Sequence, residues 1–153
     1  MKALWITLAV LAALGLACCG GVFFLGKGVF NAVAETNDAA DKYSAQIFPE
    51  IARRFDTQTI AKYASPDLQQ ELSGGGLAGK FKKYHDSLGT FKSIGEFTAS
   101  NTQANTNNGN SVVRVTTSAI ATFEKGTPRV TLTVIKRGED WKLQEIEVGA
   151  PTK

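Results

Sequence analysis

The polar and apolar positions fall into three regimes along the chain. Every residue from Ala3 to Gly26 is uncharged, and Lys2 and Lys27 bracket the run. At ~1.5 Å rise per residue, a helix of that length covers the ~30 Å hydrocarbon core of a membrane. From there to Leu88 the apolar residues recur at spacings of three and four, as on one face of a helix. From Gly89 onward the period drops to two.

The helical regime resolves into three or four segments. After Lys27 the chain can continue as helix, or Asn37 or Asp38 can cap a new one bearing Ala40, Tyr43, Ile47 and Ile51. Pro49 predicts a kink or restart near Phe48, because proline lacks the N–H of the helical ladder. Arg53 and Arg54 suit the C-terminus of this segment, near Phe55. Asp56 can cap a short helix carrying Ile60 and Tyr63. Ser65-Pro66-Asp67 reads as a cap followed by proline at the first helical position, leading into Leu68 and Leu72. Ser73-Gly74-Gly75-Gly76 is a break. It lacks the preceding strand and the Lys-Ser/Thr ending of a phosphate-binding loop, so it reads as a flexible connection. A last helix sets Leu77, Phe81, Tyr84 (or His85) and Leu88 on one side, with Lys80, Lys82, Lys83 and Asp86 mostly opposite.

Four antiparallel strands follow in the period-two regime: Thr90 to Ser100, Ser111 to Phe123, Arg129 to Lys136 and Trp141 to Val148. Asn107-Asn108-Gly109-Asn110 is a strong hairpin signal between the first two. In the last strand, Trp141 and Leu143 share one parity while Ile146 and Val148 share the other. A bulge near Gln144-Glu145 returns both pairs to one face; a sheet buried on both faces is the alternative. Helices first and strands afterwards make an α+β chain. Its domains are an N-terminal anchor over 1–30 and an α+β domain over 31–153.

The anchor admits three readings. An uncleaved transmembrane helix is favoured, since the run exceeds the apolar core of a secretory signal. A lipoprotein signal would lipidate Cys18 or Cys19, but neither has a well-formed box before it. Val22 to Leu25 also extend the run past the point where a lipoprotein turns polar. Cleavage after Ala32-Val33-Ala34 is the third. All three place the rest of the chain outside the cytoplasm, with the favoured one giving a single-pass protein of the inner (cytoplasmic) membrane. Cys18 and Cys19 are the only cysteines and diverge by roughly 100° on a helix, so they read as small apolar residues rather than as a disulfide.

Charge narrows the partners. The net charge of +3 includes Lys2 and Lys27; without them fifteen basic residues face fourteen acidic ones. A near-neutral domain whose densest basic cluster is Lys80, Lys82 and Lys83 does not suggest nucleic-acid binding.

Helices followed by a strand meander ending in "DWKLQEIEVGAP" resemble the nuclear transport factor 2-like superfamily. More narrowly, "YASPDLQQ", "HDSLGTFKSIGEF" and "ATFEKGTPRVTLTVIKRGEDWKLQEIEVGAP", behind an apolar anchor, are similar to uncharacterised bacterial exported or membrane-anchored members. The similarity covers about Asp38 to Pro151 and is marked by Ser65-Pro66, Leu88-Gly89, Phe123 and Trp141. It implies a cone: three to four helices packed on a curved four-stranded antiparallel sheet, with an apolar pocket at the open end. That fold serves enzymes and non-enzymes alike.

Candidate chemistry is sparse. His85 is the only histidine, and it pairs with no recognisable nucleophile. No set of converging donors suggests a metal, and no motif suggests a cofactor. Glu145 and Glu147 share a strand face, the arrangement of a solvent-facing pair more than of a glycosidase pair. Glu96 and Glu124 suit solvent-facing positions equally. Tyr43, Phe48, Phe55, Tyr63, Phe81, Tyr84 and Trp141 are candidate pocket-lining residues, with core packing as their ordinary role. The expectation is a membrane-tethered, extracytoplasmic (periplasmic) binding or interaction module, more binding protein than enzyme. Its partner would be a small apolar ligand, a peptide or an envelope protein. A small isomerase, dehydratase or hydrolase, or a homodimerising structural domain, are the alternatives.

Overall fold

A computed structural model describes residues 32–107 and 110–152. The apolar run, with Cys18 and Cys19, and the turn residues 108–109 lie outside the described residues. The chain divides between Thr36 and Asn37, and the unit beginning at Asn37 holds the whole described core. Among the described residues no helix is long and apolar enough to cross a membrane.

Helix α1 is described over residues 32–54. Ala40, Ile47, Phe48, Ile51 and Ala52 are buried along one face of it. The predicted break near Phe48 does not occur: the helix runs through Pro49 as one element. Pro49 forfeits a single bond, to the carbonyl of Ala45. Ala45 and Gln46 are exposed, so water can satisfy what the proline leaves free. The apolar stripe meanwhile stays in phase across the proline, from Ile47 and Phe48 to Ile51 and Ala52, which holds the helix on its course.

Phe55 ends α1 in the left-handed region, at φ 44°, with its N–H on the Ile51 carbonyl at 2.7 Å. That conformation costs a non-glycine residue about 1 kcal/mol. Burial of the ring, stacked on Phe123 with centroids 6.0 Å apart, offsets it. Asp56 then caps α2 (Thr57–Tyr63) through the Thr59 N–H at 2.7 Å. Ser65 caps α3 (Pro66–Ser73) through the Leu68 N–H, with Pro66 in the first turn. Helix α4 (Ala78–Leu88) follows the glycine turn and buries Phe81 and Leu88. Gly89 leaves it at φ 70°, where a Cβ would stand 3.0 Å from Glu124 Oε2. Both caps are where the sequence places them.

Five antiparallel strands follow: β1 (Phe91–Ile94), β2 (Thr98–Asn107), β3 (Asn110–Phe123), β4 (Arg129–Arg137) and β5 (Asp140–Val148). The single first strand expected over Thr90–Ser100, and with it the four-stranded count, is corrected: β1 and β2 are separate. Both pair with one edge of β3; β4 pairs with its other edge, and β5 lies beyond β4. The reason is a spacing of three. Phe91, Ile94 and Phe97 all pack against the core, and a period-two strand cannot turn all three inward. The pairing slips between Phe91 and Ser93, which brings Ile94 in. Gly95 then donates to the Ile120 carbonyl at 2.9 Å while Phe97 swings inward, 6% exposed.

Two further slips lie in the long strands. Ser100 is an extra residue in β2, between the pairs Ala99–Thr117 and Asn101–Thr116. Gln144 is an extra residue in β5, between Leu143–Val134 and Glu145–Thr133. The second is the bulge expected at Gln144-Glu145, and it sets Leu143 and Ile146 on one face, both buried. That face also carries Val115, Ala119, Ala121, Phe123, Val130, Leu132 and Val134, in one core with the helices. The free edge of β5 is partly covered: Ala64 bridges Leu143, and the Ser65 N–H donates to the Leu143 carbonyl at 2.7 Å.

The helix α1 meets the sheet through a polar stripe as well as an apolar one. Asn37 Oδ1 accepts from Thr102 Oγ1 at 2.5 Å, Asp41 Oδ2 from the Ala99 N–H at 3.2 Å, and Ser44 Oγ from Thr117 Oγ1 at 2.9 Å. These positions recur at i, i+4 and i+7, one helical face. Asp41 Oδ1 is enclosed without a partner among the described residues. Burial pushes the Asp41 carboxyl up, the Ala99 N–H draws it partly down, and Asp38 pushes it up again.

A carboxyl raised on folding binds its proton more tightly in the folded state, so its effect on stability is most favourable at acid pH. It weakens as pH rises through the folded pKa. Asp41→Asn keeps an acceptor for Ala99 and removes the charge. Thermal melts should show the variant about 2–4 °C more stable than the parent at pH 7, with the difference vanishing near pH 3.

Candidate functional site

The face of the sheet opposite the core is mostly polar, with Val112, Ile120 and Ile135 as its apolar members, and it holds a hollow of about 410 Å³. Its floor is one cross-strand row, Asn101–Thr116–Thr133–Glu145, with one residue from each of β2, β3, β4 and β5. Gln103 and its pairing partner Arg114 stand in the next row; Gln144 joins from the β5 bulge and Glu71 from α3. The two bulges flank the row: Ser100 precedes Asn101, and Gln144 precedes Glu145. A bulge bends its strand and re-aims the neighbouring side chains. Two of them against the same row, on opposite sides of the sheet, place the bend where the hollow lies.

Each bulge is fastened. Ser100 Oγ donates to the Thr116 carbonyl at 3.2 Å. Arg114 Nε donates to Gln144 Oε1 at 2.8 Å, which fixes the guanidinium plane. Among the described residues Arg114 forms no ion pair with a carboxylate, although Glu71 and Glu145 line the same hollow. Ile135 shares this face, between Arg114 and Lys142 in the ladder, yet is only 2% exposed. The long side chains around it shield it from water.

The seven aromatic residues expected around a pocket divide into three groups. Tyr43 stacks on Trp141 at 6.3 Å, with Tyr63 close enough to act on the Tyr43 phenol. These three are half-buried. Phe48 meets Phe91 and Phe97 edge-on at 5.9 and 6.0 Å. Phe55 and Phe81 pack around Tyr84 at 5.8 and 6.4 Å. Phe48, Phe55 and Phe81 are at most 3% exposed, so their rings fill the core. All seven belong to or pack against the one hydrophobic core.

His85 lies on the exposed side of α4, its Nδ1 3.7 Å from Asp86 Oδ1, which also receives competition from Lys82 at 2.7 Å to the other oxygen. It borders a second hollow of about 360 Å³ with Arg54, Phe55, Asp56 and Lys82. Glu96 and Glu147 are exposed, as expected of them. Glu124 is exposed too, and accepts the Thr90 N–H at 3.3 Å, which holds its carboxyl below the usual range.

An isomerase-like site sets a raised carboxyl beside a tyrosine. Here the two features are separated. Asp41 is raised, and its partner is a backbone amide. Glu50 accepts from Tyr63 Oη and from Lys62 Nζ, and the hydrogen bond from Tyr63 leads in holding its carboxyl low. Among the described residues no three His, Cys, Asp or Glu side chains converge as metal ligands.

The hollow was not among the sequence-derived candidates, because its members come from four strands and a helix. One signal was present: Arg114 is the single charge in Ser111 to Phe123 and has the parity opposite to Val113 and Val115.

The Glu50–Tyr63 pair can be tested from both sides. Tyr63→Phe removes the leading cause of the low Glu50 value, so an NMR titration of the Glu50 carboxyl carbon should move upward. Glu50→Gln removes the leading cause of the raised Tyr63 phenol, and ultraviolet titration should show that phenol ionising at lower pH than in the parent. Unchanged titrations in both variants would separate the two groups.

Comparison with family models, with curated proteins and with solved structures gives no match to this chain.

Proposed function

We propose that the chain is a membrane-tethered, extracytoplasmic binding module without catalytic activity, of the cone-shaped nuclear transport factor 2-like kind. The uncharged run from Ala3 to Gly26 supports the tether, with the domain held outside the inner membrane. The observation that carries the binding role is the hollow on the outer face of the sheet. It has hydrogen-bonding groups from four strands, and a guanidinium held in place by a bulge residue. Among the described residues no His, Cys or Lys lines the hollow, so no hydroxyl there has an imidazole or amine base beside it. Its polar lining favours a hydrophilic ligand or a polar patch of an envelope protein over the small apolar ligand expected from the aromatic residues.

Two experiments test this reading. Fractionation of cells expressing the full chain should recover it with the inner membrane. Protease added to spheroplasts should digest the domain, and the double variant Cys18→Ala, Cys19→Ala should stay membrane-bound. Release of that variant into the soluble fraction would replace the helical anchor with a lipid one. Crosslinking from the outer face, through a photoreactive residue in place of Thr116, should capture an envelope component that the same residue at Lys83 does not. Capture that is equal from both positions would remove the binding role from this face.

A further inference from the structure

The hollow has a more specific chemistry, which rests on the binding-module reading. We infer that it takes a small hydroxylated carboxylate, a sugar acid, with Arg114 receiving the carboxylate.

Arg114 carries the first part of the argument. Its Nε–H is committed to Gln144 Oε1 at 2.8 Å, which leaves the two Nη groups at the far end of the fork. A planar pair of donors matches the two oxygens of a carboxylate. Neither Glu71 nor Glu145 comes within ion-pairing distance of it, so the fork has no internal carboxylate among the described residues. Gln144 sits in the bulge, so the same irregularity that bends β5 also sets the orientation of the fork. Gln144 is a positioning residue in this scheme.

The rest of the lining sets the remainder of the ligand. Glu71 and Glu145 set two negative charges beside the one positive, a balance that disfavours doubly charged phosphate and polyanions more than a singly charged carboxylate. Carboxylates accept hydrogen bonds from hydroxyls, and the amides of Asn101 and Gln103 and the hydroxyls of Thr116 and Thr133 both donate and accept. Neighbouring strands stand ~4.8 Å apart, about the span of one sugar ring, so the row offers a fresh polar group at each ring's distance. A hollow of about 410 Å³ is within the range of small-molecule sites. Among the described residues no aromatic side chain lines it, so binding rests on the polar groups and the guanidinium.

The test is an NMR titration of the ¹⁵N-labelled full chain at low salt with D-glucuronate, D-glucose, acetate and inorganic phosphate in turn. Glucuronate should shift the Arg114 Nε–H and the amides of Asn101, Thr116 and Gln144, with a Kd on the order of 1 mM. Glucose, acetate and phosphate should each bind about 10-fold more weakly or less. Arg114→Gln should abolish the glucuronate shifts, and Arg114→Lys, which keeps charge without the fork, should weaken them. Arg114 is exposed, so unchanged melting temperatures should show both variants folded. Gln144→Ala should move the Arg114 Nε–H resonance before any ligand is added, then weaken glucuronate binding several-fold. Equal binding of glucose, tighter binding of phosphate, shifts outside the hollow, or none at about 50 mM glucuronate would each overturn the assignment. A peptide captured at Thr116 that moves these resonances where glucuronate does not would overturn it too, while leaving the binding role intact.

Discussion

The constraint on which the domain depends is parity in β5. Trp141 and Leu143 must face the helices, and so must Ile146 and Val148, yet the interval between Leu143 and Ile146 is odd. In a regular strand one pair would turn to water. The extra residue Gln144 absorbs the mismatch, and Leu143 and Ile146 are then buried at 0% and 3%. Without it, β5 would lose one half of its apolar side to solvent, at ~1.5–3 kcal/mol for each large side chain exposed. The edge contact at Ala64 and Ser65 would go as well, because it is made to Leu143. The inner face, the seating of α3 and the covered edge of the sheet all follow from one inserted residue.

A bulge on one side of a sheet bends one strand; matching bulges bend a sheet. Ser100 and Gln144 occupy opposite sides and adjoin the same row, so the three pairings along it bend together rather than shearing apart. On the inner side this brings β2 against α1, where Asn37, Asp41 and Ser44 meet Thr102, Ala99 and Thr117. Polar contacts of that kind set register more than they add stability, since each replaces bonds to water. Asp41 shows the cost: one oxygen holds the first residues of β2, and the other is enclosed without a partner. An apolar side chain there would pack at least as well, but would leave the Ala99 N–H without this acceptor.

Much of this was legible in the sequence, and the reasons differ by element. Asp56 and Ser65-Pro66 were readable because a cap is a local event, decided by one side chain and the backbone beside it. The Gln144 bulge was readable because a parity conflict is visible within one strand. Pro49 misled because its effect depends on neighbours: exposed carbonyls before it and an unbroken apolar stripe around it. The break between β1 and β2 was hidden for a related reason. Phe91, Ile94 and Phe97 are spaced as on a helix, and only the packing of Phe97 against Phe48 shows why the strand has to stop. The hollow was the least legible feature. Its row joins positions 101, 116, 133 and 145, and that alignment depends on three registers and two bulges at once.

The same geometry bears on which face of the domain is chemically available. Aromatic residues are the more conspicuous feature of the sequence, yet Phe48 and Phe55 are spent in joining helix to sheet, on Phe91 and Phe123, and Phe81 packs beside Tyr84 of its own helix. Removing one of those rings would cost about 3–5 kcal/mol. The outer face carries no such obligation: most of its side chains are polar, with Val112 and the exposed Ile120 the exceptions near its ends, its backbone groups are already paired in the ladder, and its buried apolar residue, Ile135, lies among them. Recognition there is left to side chains alone. Among those, Arg114 is held by a residue that the inner face required for its own reasons. The bulge that rescues the core thus also sets the orientation of a charge on the opposite surface, and a change at Gln144 is felt on both.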